Sequence, residues 1–406
     1  MRILLLNQYF HPDRSATAQL LTELAEDLAR EHEVFVVTGR PSYAPEDGAG
    51  RSRGLVSRER LGRVRVARVW STAFDRSNMP GRLANYGTYL AMSVAGAFAV
   101  RRPDVVVAFT DPPPIAAIGA LAARARGVPS VLVVKDLFPE IAVEVRALRN
   151  PLAIRALRRI SDALLRNATR VVSIGRDMDR RLAERGVPAD RIETIHDWAD
   201  GSLVAPLRGS SPLRAAWGLE DRFVVMHSGN VGLTQDLDTV LDAADQLRGV
   251  ADVVFAIVGD GASRDRLEAE AERRRLDNVR FLPYQAKAAL GASLAVADVH
   301  LVGLRHGLAG YVTPSKVYGI MAAGKPFIAH VDPDAEPALI VEEARCGIRI
   351  DPGDASALAK AVLEIRDRDL AELGANARRA FEQRFERRIA ARRYAELLTA
   401  VVGGAG

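Results

Sequence analysis

Short apolar runs rich in valine, isoleucine and leucine recur along this chain, each followed by a longer stretch whose apolar positions return every third or fourth residue. Uninterrupted apolar runs predict strands buried on both faces, and the helical rhythm between them predicts helices laid against those faces. Together they predict βαβ units on mainly parallel sheets. In the first half the expected strands are residues 3–6, 34–38, 64–69, 105–109, 130–134, 170–173 and 192–195, with helical spacing over 16–30 and 152–165. Residues 200–212 then lapse into Gly, Ser and Pro, as a linker does. After it the rhythm restarts, with strands expected at 223–227, 253–258, 279–281, 299–304, 327–330 and 347–350 and a long helical region over 370–401. Two doubly wound α/β domains follow, facing each other across a cleft outside the carboxyl ends of their strands.

Composition narrows the class. The 406 residues exceed one typical domain, and 48% hydrophobic with 26% charged residues is ordinary for a globular protein. The apolar run after Arg2 stops at Asn7, too short for a signal-peptide core, and reads as a first buried strand. A single cysteine, Cys346, excludes an internal disulfide and a thiolate metal cluster, which together with the short first run gives a cytoplasmic expectation. The net charge of +5 is unevenly spread: residues 51–68 hold seven arginines against one glutamate, and residues 149–170 hold six against Asp162. Both stretches suggest an anionic partner. Neither interleaves stacking aromatics, so nucleic acid is not expected.

The chemistry concentrates at strand ends in the second half. Thr313-Pro314-Ser315-Lys316 reads as a helix start carrying a lysine, where N–H groups and dipole favour an anion. Only five of the 56 basic residues are lysines, so a lysine at this place points to a need for a compact ammonium. Gly229-Asn230-Val231-Gly232 follows a strand and precedes a helix, Gly259 and Gly261 end the next strand, Tyr284 follows the one after, and these ends converge on one cleft that fits a nucleotide. In the first half Lys135-Asp136 stands at a strand end with Glu140 beyond; the pair either lines a sugar site or is an ion pair that fixes a loop. Residues 332–334 and 367–369 match an Asp-x-Asp pattern, but one reads as a loop and the other as a helix, and no metal is assigned. The helix expected over 151–170 has an apolar stripe and an arginine-rich face; it either packs on its sheet or rests on anionic lipid, and residues 83–100 could add to such a surface.

These motifs resemble the retaining GT-B glycosyltransferases of family 4, especially the bacterial branch that includes N-acetyl-L-fucosamine transferases of surface-polysaccharide assembly. The resemblance rests on Asn7-Gln8-Tyr9-Phe10-His11-Pro12 with Ser15-Ala16-Thr17, Gly39-Arg40-Pro41-Ser42-Tyr43, Lys135-Asp136-Leu137-Phe138-Pro139-Glu140, Ile195-His196-Asp197-Trp198-Ala199-Asp200, His227-Ser228-Gly229-Asn230-Val231-Gly232, the Pro-Ser-Lys segment and Asp332-Pro333-Asp334-Ala335-Glu336. It implies an acceptor-binding Rossmann-like domain over 1–200, a linker over 201–212, a nucleotide-sugar domain over 213–380, and a helix over 381–406 that crosses back to the first domain. It further implies a UDP-sugar donor, a lipid-linked or oligosaccharide acceptor, retention of configuration, no metal or other cofactor, and a cytoplasmic protein in peripheral contact with an anionic membrane.

The chain departs from the broad family pattern. A glutamate pair found in many members falls here at Tyr311 and Gly319, and a basic pair after the first strand of the second domain falls at Asn230 and Gln235. Charge on a departing diphosphate is then left to Lys316, with Arg305 second, and to the N–H groups of residues 229–232. By resemblance Lys316, Lys135 and Asp136 are the expected catalytic residues. Gly229, Asn230, Gly232, Gly259, Gly261, Tyr284, Arg305, Pro314, Ser315 and Glu336 are expected to hold the nucleotide-sugar, and His11, Ser15, Thr17 and Glu140 the acceptor. Glu336 either bonds a donor hydroxyl or caps the helix that follows. An epimerase or inverting transferase of the same fold, and a non-catalytic nucleotide-sugar-binding relative, remain the alternatives.

Overall fold

A computed structural model describes residues 1–13, 15–41, 54–72, 74, 79–144 and 148–404; Ser42 and Tyr43, named above, and the first three residues of the basic stretch 51–68 lie outside them. Two sheets organise the molecule. The first contains β1 (Arg2–Leu6), β2 (Glu33–Thr38), β3 (Val56–Leu61), β4 (Val64–Val69), β5 (Val105–Phe109), β6 (Ser130–Val133), β7 (Arg170–Ser173) and β8 (Ile192–Thr194), in the order β3-β4-β2-β1-β5-β6-β7-β8. The second contains β9 (Phe223–Ser228), β10 (Val253–Val258), β11 (Val279–Leu282), β12 (Val299–Gly303), β13 (Phe327–His330) and β14 (Gly347–Ile350), in the order β11-β10-β9-β12-β13-β14. Every pairing is parallel except β3 with β4. In both sheets the order reverses beside the first strand, between β1 and β5 and between β9 and β12, which opens a crevice at the carboxyl ends.

Alternation of side chains along β1 explains the two-sided core. Ile3 and Leu5 pack with Leu21, Leu24 and Leu28 of the helix Ala16–Leu28, while Leu4 and Leu6 face the helices Met79–Ala99 and Ile115–Arg126 on the other side. The helix Arg387–Gly403 joins the first of these layers: Tyr394 and Leu398 are buried against β1 and β5 although the helix follows the whole second domain in sequence. Arg387 anchors its start, 2.7 Å from Asp27 and 3.2 Å from Asp200.

Three local readings change. The basic stretch is largely an edge hairpin that the sequence pattern missed, because Ser-Arg-Glu-Arg on β3 has a partner strand on one side only and needs no apolar alternation. Its Arg68 turns inward instead of toward a partner, donating to Glu59 at 2.7 Å and to the carbonyls of Gly39 and His11. The basic helix ends at Asn167, so Arg170 opens β7, and the long C-terminal region breaks at Phe385 into the helices Leu370–Arg384 and Arg387–Gly403.

Leu398 is fully buried beneath the first sheet. Leu398→Ala is expected to cost about 2–5 kcal/mol, read as a lower urea midpoint. A variant as stable as the parent would mean that this helix does not belong to the first domain's core.

Candidate functional site

The second-domain side of the cleft is a floor of crossing loops. Gly259 has φ +140°, and a Cβ there would stand 1.9 Å from the Gly229 carbonyl oxygen, so the loops after β9 and β10 touch backbone to backbone only because residue 259 is glycine. Gly261 lies in the same way against Asn230 and Val231, and Gly232 against Asn230 and Gln235. The structure thus brings Gly229, Asn230, Gly232, Gly259 and Gly261 together.

Its N–H groups, however, are turned onto the protein. Gly229 donates to the Val258 carbonyl at 2.9 Å, Val231 to that of Asp260 at 2.8 Å, and Gly232 to the Gln235 side chain at 3.0 Å. That corrects the expectation that residues 229–232 offer an unbroken row of donors to a diphosphate: Gly229 and Val231 are used in holding this loop to β10 and the loop after it, and Gly232 in bonding Gln235. Ser315 is the N-cap of the helix Lys316–Ala322, and Pro314 is buried before it. This helix is short, and its Val317 and Tyr318 N–H groups turn back to the Pro314 and Ser315 carbonyls.

Positive charge is left to Lys316. Its side chain lies along Gly229, with Cε 3.7 Å and Nζ 3.9 Å from where a Cβ on that glycine would be. Nζ sits 3.1 and 3.3 Å from the two ring nitrogens of His227, and among the described residues no carboxylate pairs with it. Burial lowers its pKa from the ordinary lysine value to about 7. Arg305 is exposed in the loop after β12, its N–H donating to the Thr234 carbonyl at 2.9 Å. Tyr284, 52% exposed, stands at the end of β11.

Across the cleft, at the carboxyl ends of β5, β6 and β8, lies an acidic group around one lysine. Lys135 Nζ is paired with Asp197, not with its neighbour Asp136. Asp111, absent from the sequence reading, accepts from Thr17; burial pushes its carboxyl up to about 6, against the pull of that hydrogen bond and of Lys135. Burial, and then the Asp111 charge, likewise push Asp136 up to about 6, with Lys135 opposing. Asp136 also forms a β-bridge with Val312, and the Leu137 N–H donates to the Tyr311 carbonyl at 2.8 Å. The segment that bridges to the acidic group therefore runs straight on into Thr313-Pro314-Ser315-Lys316.

Glu336 is not a cleft residue. It is fully buried in the seam between the domains, receiving the Arg176 side chain at 2.9 Å, the Arg176 N–H at 2.8 Å and His196 Nε2 at 3.0 Å. Burial raises its pKa, but the bonds from His196 and Arg176 outweigh burial and hold it at about 2. Asp177 completes the seam, accepting N–H groups of Glu336 and Gly310 at 3.1 Å each. With its oxygens so occupied, Glu336 is corrected from donor-binding to a seam residue. Glu140 is corrected too, because its carboxylate faces Arg158 at 3.0 Å and Arg185 at 3.5 Å. Ser15 caps the helix Ala16–Leu28 through the Ala18 N–H at 3.3 Å, and the exposed His11 is held through its backbone by Thr22 and Arg68. Of the four expected acceptor residues, Thr17 alone is placed by a side-chain bond on the acidic group. Asp111 had no motif signal, and Asp197 and His227 stood inside motifs of the resemblance without a role assigned to them. Among the described residues, no group of three or more His, Cys, Asp or Glu is arranged to hold a metal ion.

Comparison with known proteins agrees with this two-sided arrangement. Residues 15–198 match the family described as glycosyl transferase 4-like domain, and residues 211–384 match glycosyl transferases group 1. The chain is 33% identical over 328 residues to the probable glycosyltransferase WbjE of Pseudomonas aeruginosa, covering 79% of this chain and 82% of that one. It is 29% identical over 337 residues to the putative colanic acid biosynthesis glycosyl transferase WcaI of Escherichia coli K12, covering 80% and 82%. In fold it is similar to Anabaena HepE, solved with UDP and glucose, at a TM-score of 0.75 and 19% identity over 98% of this chain and all of that one.

A buried ammonium without a carboxylate costs stability. Since the folded pKa of Lys316 lies near 7, below the ordinary lysine value, the unfolded chain binds more protons between the two, and stability from this group rises with pH across that window. Lys316→Met is therefore expected to raise the melting temperature of the ligand-free protein by roughly 2–4 °C near pH 6.5 and by less at pH 9.5. Calorimetry at the two pH values checks this. A variant less stable than the parent at both would mean that a counter-charge holds the ammonium.

Proposed function

The chain belongs to the glycosyltransferases of family 4 and group 1 with the GT-B fold, and from that premise we propose that it moves a sugar from a UDP-sugar to a lipid-linked or glycan acceptor with retention of configuration and without a metal ion. The sugar in this reading is an N-acetylhexosamine or a deoxy derivative, as in the branch it resembles. UDP is favoured because the fold neighbour HepE was solved with UDP, and a surface glycan because WcaI is named for colanic acid biosynthesis.

The observation that carries the reading is Lys316, a half-buried cation on a glycine floor whose ammonium meets imidazole and, among the described residues, pairs with no carboxylate. Diphosphate is the ligand such a group lacks. As the bond from the anomeric carbon to the β-phosphate oxygen breaks, charge grows on the leaving diphosphate next to the ammonium, and the acceptor hydroxyl passes its proton to a phosphate oxygen on the same face. Asp111 and Asp136 then lie on the sugar side, where carboxylates accept from hydroxyls. Their raised pKa values favour a second reading, inversion with one of them as general base. The anomeric form of the product, read by NMR, separates the two.

Titration calorimetry with UDP, GDP, ADP and CMP, in EDTA and then in magnesium, tests the donor site. Selective binding of UDP in EDTA, weakened about 100-fold or more in Lys316→Ala, is expected; a lost charged hydrogen bond and its Coulomb attraction account for about 3 kcal/mol. No binding of any of the four would overturn the reading.

The acceptor reading includes contact with an anionic membrane in the cytoplasm. Along the helix Pro151–Asn167, Leu165 is buried while Leu152 and Ile160 are 71% and 56% exposed, beside the exposed Arg155, Arg158 and Arg159. The neighbouring helices add exposed Phe98 and Leu121. No helix among the described residues is long and apolar enough to cross a membrane, so this contact would be interfacial. Replacing both Leu152 and Ile160 by Glu is expected to weaken cosedimentation with phosphatidylglycerol vesicles at least tenfold, since each apolar side chain contributes about 1.5–3 kcal/mol when buried, while UDP affinity stays unchanged. Equal sedimentation of variant and parent would remove the membrane from the proposal.

A further inference from the structure

Three histidines end or line the central strands of the second sheet, and all are fully buried: His227 on β9, His300 on β12 and His330 on β13. Their rings face different partners. His300 bonds the Leu294 carbonyl at 3.0 Å, and His330 points to Asp236 at 3.6 Å. His227 reaches Lys316, and its Nε2 also lies 3.2 Å from the Asn230 carbonyl.

The ammonium nitrogen, 3.1 Å from Nε2 and 3.3 Å from Nδ1, lies over the ring face and not in the ring plane. With the proton on Nε2, the ring donates in its plane to the Asn230 carbonyl and turns its π-face to the Lys316 ammonium. The ring is neutral, because burial first and the Lys316 charge second hold its pKa well below the usual histidine value. Other side chains would serve worse. A carboxylate at this place would cancel the ammonium charge and repel a diphosphate, and an apolar residue would leave a buried ammonium and a buried carbonyl each short of a partner. Neutral imidazole meets the ammonium without supplying negative charge, so no counter-charge from this ring opposes an arriving diphosphate while Lys316 stays aimed along Gly229.

We propose that His227 is a positioning residue for the leaving-group cation: it holds the Lys316 ammonium against its ring face and donates to the Asn230 carbonyl, tying the lysine and the loop after β9 into one anion cradle. The proposal rests on the donor reading given above and assigns the second-domain histidine a part in it. His227 acts through Lys316 and does not itself touch the diphosphate.

A double-mutant cycle on UDP affinity tests it, using the full chain and calorimetry, with thermal unfolding of each variant recorded first. His227→Leu fills a similar volume without either bond and is expected to weaken UDP binding about tenfold to 100-fold. His227→Gln can both donate and accept, and is expected to stay within about threefold of the parent. In the Lys316→Met background, His227→Leu is expected to add less than about threefold, because the side chain it positions is gone. If His227→Leu loses its cooperative transition, His227→Met takes its place in the cycle. The proposal is overturned if the apolar variant binds UDP like the parent, if the glutamine variant falls as far as the apolar one, or if the two losses simply multiply, which marks a general packing role. Loss in Lys316→Met with no loss in His227→Leu sinks this inference and leaves the donor reading standing. Absence of UDP binding by the parent sinks that reading first.

Discussion

The seam around Glu336 fixes where everything else in the cleft can be. A carboxylate from the start of the helix Glu336–Ala344 is buried beneath Arg176 and His196 of the other domain, and Asp177 returns the contact by accepting N–H groups from Glu336 and Gly310. Buried ions of opposite sign with their hydrogen bonds filled are specific in geometry even where their net contribution to stability is small. His196 is held edge-on between Tyr318 and Phe385, and the second aromatic lies where the chain turns back to the first domain. The seam is therefore polar at its centre and aromatic at its margin, and it joins the domains a short way from the Asp136–Val312 bridge. With two such ties, the acidic group and Lys316 are presented to the same space.

Within that space one group is deliberately left without a counter-ion. Many arginines among the described residues pair with carboxylates, and Lys135 and Lys287 do as well. Lys316 meets imidazole instead, at a cost that the apo protein bears. A site that must receive an anion cannot first satisfy its cation with a carboxylate, because the ligand would then have to displace a covalently tethered competitor. The glycine contacts between the loops after β9 and β10 belong to the same logic. They close those loops on each other, which uses their N–H groups but clears the approach to the lysine.

Sequence pattern carried the fold almost completely, because strands buried on both faces are apolar throughout and announce themselves. Where the pattern failed, physics explains it. β3 is charged because an edge strand has one neighbour and must discourage a second. Lys316 was legible because lysine is rare here and follows Pro-Ser. Glu336 was legible as important but not as a seam residue, since nothing local reveals that Arg176 and His196, far away in sequence, will close over it. Asp111 was illegible, and His227 was visible only as part of a motif, for another reason: the parallel order of the sheets brings the first to Thr17 and Lys135 and the second to Lys316.

The two domains share a winding but not a sign. At the carboxyl ends of the first sheet, Asp111, Asp136 and Asp197 surround one lysine, and at those of the second, one lysine stands with no carboxylate paired to it. A diphosphate entering between them is drawn to one wall and repelled by the other, so it has one orientation, with whatever it carries turned toward the acids. Burial keeps Asp111 and Asp136 close to protonation, which suits hydroxyl groups and disfavours a second anion. Polarity in the cleft thus follows from where two sets of strands end, and no single residue imposes it.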